Sequence, residues 1–290
     1  MDETTASFSD WLKTGSQYLL PQHAVSRTVH WLTRIETPAI KSWLIRCFIR
    51  HFRVDMSEAA QPDSNSYPCF NAFFTRALRE NARPIASEPK SIACPVDGSV
   101  SQCGNIERNF IFQAKDRGFT TGELLADATL ASDFANGEFA TLYLSPRDYH
   151  RIHMPLDGVL RHMRHIPGHL FSVNPPTTRT VTNLFARNER VVTVFETLVG
   201  PMALVLVGAL NVASIETVWA GEITPPRGKK VRMWKYQGDE VTLRKGAEMG
   251  RFNMGSTVIL LFGLNHVRWN AELTAGASVR MGQSIGTLLT

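Results

Sequence analysis

Cysteine is scarce in this sequence of 290 residues. The four cysteines, Cys47, Cys69, Cys94 and Cys103, form no C-x-x-C pair and match no zinc-finger spacing. This disfavours a disulfide-stabilised secreted fold and favours a reducing compartment. The first ten residues are acidic and polar, unlike a secretory signal, so no leader peptide is predicted.

Long apolar helices are also lacking. The stretch that most needs a membrane test, residues 197–215, is 19 residues long and carries no charge. It contains Gly, Pro and Asn, and its apolar residues come in two β-branched blocks. These features predict a hairpin of buried strands, residues 191–197 and 202 onward, rather than a spanning helix.

Acidic residues are nearly absent between residues 11 and 53, where seven Lys/Arg face only Glu36. Nearly all of the net charge of +5 therefore lies in this part of the chain. Apolar residues recur there at helical spacing and predict three short helices with aromatic faces and basic edges. Such helices suit the headgroup zone of an anionic membrane. The alternative is that their apolar stripes pack on the rest of the protein.

From Ile92 onward, short β-type runs alternate with Gly, Pro and Asn. The predicted strands are residues 106–113, 139–144, 158–166, 191–195, 202–207, 214–219 and 257–262. The predicted fold class is therefore α+β, with N-terminal amphipathic helices in residues 1–60 and a β-rich catalytic domain in residues 61–290.

A short internal echo refines this prediction. The pattern G-x-x-(M/I)-G occurs at residues 246–250 and 282–286. Together with the turn at residues 95–98, it is similar to the turns of barrel-sandwich folds, where glycine supplies the positive φ. A swinging-arm carrier of that fold needs an exposed lysine at a hairpin tip, and Lys245 lacks that setting.

Three segments carry side chains suited to catalysis. Asp97 lies in CPVDGSV, His150 and His153 lie in YLSPRDYHRIHMP, and Gly255-Ser256 precedes an apolar run. Asp, His and Ser are the parts of a charge-relay triad, which is recognised by roles rather than by order. Each also has a structural interpretation, because Asp-Gly and serine are common in turns. The G-x-S-x-G elbow of many hydrolases is missing around Ser256.

Other polar residues carry weaker signals. The spacing of His162, His165 and His169 fits no specific metal template, and no metal site is predicted. Candidate partners for a phosphate are Arg147, Arg187 and Arg190.

Several long motifs together resemble the phosphatidylserine decarboxylase family. They are MGST before the apolar strand, LSPRDYHRIHMP, PVDGSVSQCG, NLFARNERV and SIETVWAGEITPP. The resemblance runs from the N-terminal helices to the C-terminus. Met254 stands where many members have leucine, and the similar volume of the two side chains predicts no functional consequence.

The resemblance implies a self-cleaving enzyme. Ser256 would attack the carbonyl of Gly255, with His153 as base and Asp97 orienting it. Cleavage would give a β chain, residues 1–255, and an α chain, residues 256–290, that begins with a covalent pyruvoyl group made from Ser256. This group would form a Schiff base with the substrate amine, and His150 is the expected proton donor in the decarboxylation.

The implied substrate is phosphatidylserine and the implied product is phosphatidylethanolamine. The implied location is the cytoplasmic side of an anionic cell membrane, as a peripheral protein. The expected partners are the enzyme's own α and β chains as a heterodimer, with further dimerisation left open, and no nucleic acid. Two alternatives remain: an uncut serine hydrolase that uses Asp97, His153 and Ser256 on a membrane ester, and a non-enzymatic lipid-binding or carrier-like β domain.

Overall fold

The computed structural model describes residues 7–114, 117–210, 214–224, 230–255 and 257–289. Its longer helices lie in the N-terminal part, and short helices connect strands further along. The α-helices are α1 (Phe8–Leu19), α2 (Gln22–Leu32), α3 (Pro38–Phe52), α4 (Phe70–Phe74), α5 (Thr121–Leu125), α6 (Ala128–Ala131), α7 (Pro175–Thr180) and α8 (Leu184–Arg187). Short 3-10 helices occupy Ser64–Ser66 and Ser132–Phe134.

The rest of the described chain is dominated by strands. The strands are β1 (Ser91–Ala93), β2 (Gly98–Asn105), β3 (Phe110–Ala114), β4 (Arg117–Thr120), β5 (Glu138–Tyr143), β6 (Arg151–His153), β7 (Gly158–Ile166), β8 (Arg190–Thr197), β9 (Gly200–Val207), β10 (Ser214–Thr217), β11 (Gly221–Glu222), β12 (Arg232–Lys235), β13 (Thr242–Leu243), β14 (Glu248–Asn253), β15 (Thr257–Phe262), β16 (Val267–Trp269), β17 (Ser278–Val279) and β18 (Ser284–Leu288). The predicted α+β class, with helices ahead of a β-rich region, is confirmed.

The N-terminal helices form where the sequence predicts them. A capping box starts α1, because the Ser7 hydroxyl accepts a hydrogen bond from the N–H of Asp10 and the Asp10 carboxylate accepts one from the N–H of Ser7. Proline occupies the first turn of α3, where its missing N–H costs nothing. Arg53 then ends α3 in the left-handed conformation, at φ 54°.

These helices divide their apolar residues between the core and the surface. Ile45 of α3 is fully buried and packs with Phe70 and Phe73 of α4. Trp31 of α2 and Trp43 of α3 are 67% and 60% exposed. Each of the two interpretations of the apolar stripes therefore describes part of them, since some residues pack inside and large aromatic ones face outward.

The largest sheet holds the core. Its strand order is β12–β7–β8–β9–β15–β5–β2–β17, with β13 paired to β7. β8 and β9 form the hairpin predicted for residues 191–197 and 202 onward, pairing Arg190 with Val207 and Thr197 with Gly200. β15 lies between β9 and β5 with every residue buried, as its unbroken apolar sequence requires.

Two smaller sheets repeat one arrangement. Their strand orders are β1–β18–β16 and β6–β14–β10–β11. In each, a P-x-D-G turn follows the first strand, and we call these the first and second P-x-D-G turns. They are residues 95–98 and 155–158. The N–H of His153 donates to the carbonyl of Pro95 over 2.9 Å, and the N–H of Ala93 donates to that of Pro155 over 3.1 Å. The last residue of each first strand thus donates a hydrogen bond to the P-x-D-G turn of the other sheet, and the two units are related by an approximate two-fold symmetry.

The glycine echo belongs to the same repeat. Gly246 and Gly282 have φ of 81° and 84°, which confirms the predicted positive φ. Their N–H groups donate to the carbonyls of Met154 and Cys94, next to the two turns. Within the described residues the sheets are open rather than closed, so the barrel-sandwich arrangement and the division at residue 60 stay predictions.

Candidate active site

The loop between β14 and β15 carries the predicted cleavage point. It joins the sheet of β6 and β14 to the centre of the largest sheet. Met254 has φ 89° and Gly255 has φ 46°, so the residues immediately before Ser256 both lie in the left-handed region. A methionine rarely adopts that conformation, and the surrounding structure must hold it there. Ser256 itself lies outside the described residues.

His150 is the side chain that faces this loop. It is fully buried, and its Nδ1 donates to the carbonyl of Asp148 over 2.8 Å. Nε2 therefore carries the lone pair, and it has no hydrogen-bond partner among the residues described. A Cβ on Gly255 would lie 3.4 Å from this nitrogen. Burial, with the Phe74 ring 4.1 Å away, lowers the pKa of His150 to about 3. The imidazole is neutral at neutral pH.

His153 lies at the end of β6 and is held at both ring nitrogens. Nδ1 donates to the carbonyl of Gly246 over 2.7 Å, and Nε2 accepts from the hydroxyl of Tyr149 over 3.0 Å. Burial lowers the pKa of His153, while the charge of Asp97 acts in the opposite direction. Gly246, rather than Asp97, fixes the tautomer of this ring.

Asp97 lies in the first P-x-D-G turn and is 7% exposed. Its carboxylate accepts three hydrogen bonds of 2.6 to 3.1 Å from Arg83 and one of 2.8 Å from the N–H of Met281. Arg83 also binds Glu58 over 2.7 Å. The expected hydrogen bond between His153 and Asp97 is absent from the described contacts, because the carboxylate accepts from the Arg83 guanidinium and the N–H of Met281 instead.

Sequence reasoning missed several of these partners. Tyr149 lies inside a motif that was singled out, yet its hydroxyl was given no role. Arg83 and Glu58 lie outside the three segments that carry the catalytic candidates, and the sequence holds no signal that pairs them with Asp97. The repeat of CPVDG and MPLDG was visible and marks the two turns.

Two cavities lie on either side of residues 143–149. The apolar cavity, of about 360 Å³, reaches from Phe48 and Phe52 of α3 to Met254 and Gly255. The polar cavity, of about 400 Å³, is lined by charged side chains. Its residues include Arg76, Arg83, Asp97, Arg147 and Asp148. The predicted cleavage point therefore opens towards an apolar space beside the N-terminal helices.

The candidate phosphate-binding arginines differ in availability. Arg190 is buried and donates to four backbone carbonyls, which leaves its guanidinium committed to the fold. Arg187 lies over the rings of Tyr18 and Phe171. Arg147 lines the polar cavity, and its side chain is 67% exposed.

Two further features of the described residues bear on the site. They contain no group of three His, Cys, Asp or Glu side chains placed to hold a metal ion. In the same part of the chain, every helix is too short or too polar to cross a bilayer.

The site combines a buried neutral histidine with a strained backbone loop, at the end of an apolar cavity beside helices with exposed aromatic residues. This arrangement suits an enzyme that acts on amphiphilic substrates. A family profile described as phosphatidylserine decarboxylase matches residues 70–287. A second profile, described as PSD, matches residues 12–53. The chain belongs to the phosphatidylserine decarboxylase family.

Individual relatives agree over nearly the whole chain. A phosphatidylserine decarboxylase proenzyme of Alkalilimnicola ehrlichii is 61% identical over 90% of this chain and 91% of its own length. The proenzyme of Methylococcus capsulatus is 57% identical over 93% and 94%. That of Shewanella frigidimarina is 53% identical over 96% and 99%.

Proposed function

We propose that this protein decarboxylates phosphatidylserine to phosphatidylethanolamine with a pyruvoyl group that it makes from its own Ser256. The observation that carries the proposal is the buried Nε2 of His150, which has no hydrogen-bond partner among the described residues and lies beside the left-handed Met254–Gly255 segment. Membership of a family whose relatives are named proenzymes supports the activation by cleavage.

Activation is a rearrangement of one peptide bond. The Ser256 hydroxyl adds to the Gly255 carbonyl carbon and loses its proton to a base. The C–N bond then breaks, the nitrogen takes up a proton, and an ester replaces the amide. Loss of the Cα proton of residue 256 breaks the ester C–O bond, which leaves a Gly255 carboxylate and a dehydroalanine. Tautomerisation and addition of water release ammonia and leave the ketone.

We assign the base to His153, with Asp97 stabilising the imidazolium through its charge. Its lowered pKa keeps the ring neutral, which a base requires. Tyr149, which donates to Nε2, must release that nitrogen or relay the proton. The left-handed Met254 supplies backbone strain that cleavage relieves.

The surroundings of residue 256 fit a small reactive carbonyl group. Besides His150 Nε2, the hydroxyl of Thr257 is buried without a partner among the described residues. Together these two atoms would hold the group. When present, a pyruvoyl group supplies an electron sink for the loss of CO2 from an amino acid. His150 would deliver the proton that replaces CO2, and the apolar lining of the adjoining cavity would exclude water.

The cleaved halves would stay together. The α chain, residues 256–290, contributes β15, which pairs on both sides with strands of the β chain. It also contributes β18, which pairs with β1. Removing these strands would expose a fully apolar core, so the product of cleavage is a tight heterodimer.

We propose that the enzyme works as a peripheral protein at the cytoplasmic face of an anionic membrane. Large apolar side chains point outward from α1, α2 and α3, with exposures of 49% for Trp11, 67% for Trp31 and 60% for Trp43. Exposed basic residues lie beside them. Apolar insertion and attraction to anionic headgroups would act together there.

Intact mass and denaturing gels test this proposal. The wild-type chain of 32.4 kDa should give two fragments divided after residue 255, with the smaller one blocked at its N-terminus by a ketone. Ser256→Ala should stay whole and evolve no CO2 from phosphatidylserine. A serine hydrolase or a carrier domain would instead remain one uncut chain, and an uncut wild-type chain that still releases CO2 would contradict the mechanism.

A further inference from the structure

Arg76 is a buried cation in the wall of the polar cavity. It follows α4, is 5% exposed and lines the cavity with Arg83 and Arg147. One guanidinium nitrogen, Nη2, donates to the carbonyl of Arg147 over 3.3 Å. Its Nε is buried without any hydrogen-bond partner among the described residues. A guanidinium buried with a free N–H is costly, and an anion in the cavity would offset that cost.

The carboxylates of the polar cavity do not neutralise Arg76. Two of them, Glu58 and Asp97, are bound by the guanidinium of Arg83. The remaining two bind backbone N–H groups: Asp55 that of Ser57 over 2.8 Å, and Asp148 that of Ser145 over 2.7 Å. In the part of the chain that the structure describes, Arg76 therefore makes no ion pair. Burial lowers its pKa, and these carboxylates act only at a distance.

Arg76 is also close to the reacting group. Phe74, two residues earlier, packs on the ring of His150, and the charge of Arg76 lowers the pKa of His150 further. His150 in turn faces Gly255. The polar cavity that Arg76 lines and the apolar cavity that reaches Gly255 share residues 143–149 in their walls, so an anionic substituent of an amine bound at residue 256 would extend towards this guanidinium.

The substrate of the proposed reaction carries two anionic groups, and the chemistry distinguishes them. A guanidinium on the carboxylate would stabilise the charge that decarboxylation must remove, and so would raise the barrier. A guanidinium on the phosphate costs nothing in the reaction, because that charge persists from substrate to product. Arginine presents several N–H donors in a planar fork that suits phosphate oxygens.

We propose that Arg76, assisted by Arg147 at the rim, binds a phosphate anion in the polar cavity, and that the phosphodiester of the lipid headgroup is its source. The inference deepens the proposed function and rests on it. Arg76 is then a substrate-binding residue. It holds the phosphate of the headgroup in the polar cavity, away from the reacting carbon.

Competition between two lipids tests this assignment. Processed enzyme is assayed on short-chain phosphatidylserine in mixed micelles, with either phosphatidylglycerol or a diacylglycerol of equal chain length as inhibitor. Arg76→Gln should raise the Ki of phosphatidylglycerol about ten- to a hundred-fold, the range of hydrogen bonds to a charged group. The Ki of diacylglycerol should not change, whereas a merely structural role would change both or neither. Arg268→Gln, which removes an exposed arginine of β16, is the matched charge control.

Further variants keep the test decisive if Arg76→Gln folds poorly, which self-cleavage on a gel reports. Arg76→Lys should restore part of the phosphatidylglycerol affinity, and Arg147→Gln should weaken it less than Arg76→Gln does. If inorganic phosphate competes as well as phosphatidylglycerol, the site binds free phosphate and the headgroup assignment is wrong. Unchanged Ki values in an active Arg76→Gln enzyme would overturn the inference and leave the decarboxylase standing. A wild-type chain without turnover would overturn the proposed function, and phosphatidylglycerol binding by calorimetry would still test Arg76.

Discussion

The first and second P-x-D-G turns share the contacts of their aspartates and differ in their surroundings. In each, the aspartate accepts a hydrogen bond from a backbone N–H, of Met281 for Asp97 and of Lys245 for Asp157, over 2.8 and 2.7 Å. In each, an arginine also binds the carboxylate, Arg83 in the first and Arg244 in the second. The shared contacts give the aspartate of each turn a structural role, whatever else that residue does.

Burial separates the two turns. The side chains of Arg83 and Asp97 are 7% and 10% exposed, against 84% and 56% for Arg244 and Asp157. The exposed pair contributes little to stability, while breaking the buried one leaves an uncompensated charge. The same kind of turn therefore occurs twice, and the buried one lies beside the proposed base, because the N–H of His153 donates to the carbonyl of Pro95.

Among the variants that test this comparison, a replacement of His153 should have the largest effect on the rate of self-cleavage. Its counterpart in the first half is Ala93, so His153→Ala makes the two halves alike. Removing a general base should slow self-cleavage about a hundred- to ten-thousand-fold, measured by densitometry of the uncut band. His150→Ala should still cleave but lose decarboxylase turnover.

The matched control for this pair is His162→Ala, a histidine of β7 away from the loop. The structure places Nε2 of His150 next to Gly255, 3.4 Å from the position that a Cβ on this glycine would take. If His150→Ala stays uncut while His153→Ala cleaves normally, the two roles are reversed.

Exchanging each aspartate for asparagine should have the next largest effect. Asp97→Asn should slow cleavage about a hundred-fold, since the base loses the charge that stabilises its protonated form. Asp157→Asn removes the negative charge at the equivalent position of the second turn and should leave the rate unchanged. Equal rates in the two variants would make Asp97 a turn residue only.

A pH profile of cleavage separates charge from geometry in the same variants. A base must be neutral, so the rate falls as pH drops through the pKa of His153, which burial already places below its ordinary value. Asp97 raises that pKa, so Asp97→Asn should move the acid limb to lower pH. An unshifted limb would contradict an electrostatic role for Asp97.

Long apolar runs were predictable from the sequence. The predicted strand at residues 257–262 matches β15 at both ends, because an uninterrupted buried run has few alternatives. The one at residues 158–166 matches β7, in which buried residues mix with partly exposed ones. The predicted strand at residues 106–113 is wrong at its start. Arg108 and Asn109 have φ of 49° and 70° and make a turn, so β3 begins only at Phe110.

The partners of the candidate site were not predictable in the same way. The motif placed Asp97, His150 and His153 near one another, but which atoms bind depends on contacts between segments far apart in the sequence. The guanidinium of Arg83 binds Asp97, and the carbonyl of Gly246 accepts a hydrogen bond from His153. These contacts form when three sheets come together and leave no local pattern in the sequence. Periodicity reports burial of one element and says nothing about which distant carbonyl a ring nitrogen meets.

The smallest expected effect is on stability and concerns the glycines that come directly after Lys245 and Met281, whose N–H groups bind the two aspartates. Gly246 and Gly282 share a positive φ, but a Cβ on Gly282 would lie 2.5 Å from the backbone oxygen of Pro84, and one on Gly246 2.9 Å from a side-chain carbon of Ile85. A side chain can rotate away and a backbone carbonyl cannot, so Gly282→Ala should lower the free energy of unfolding about 1–2 kcal/mol more than Gly246→Ala in urea titrations. Gly276→Ala, with φ 85° and open space, measures the conformational cost alone. Equal losses in all three variants would show that the repeat is strained only by φ and that the close packing around residues 84–85 contributes nothing.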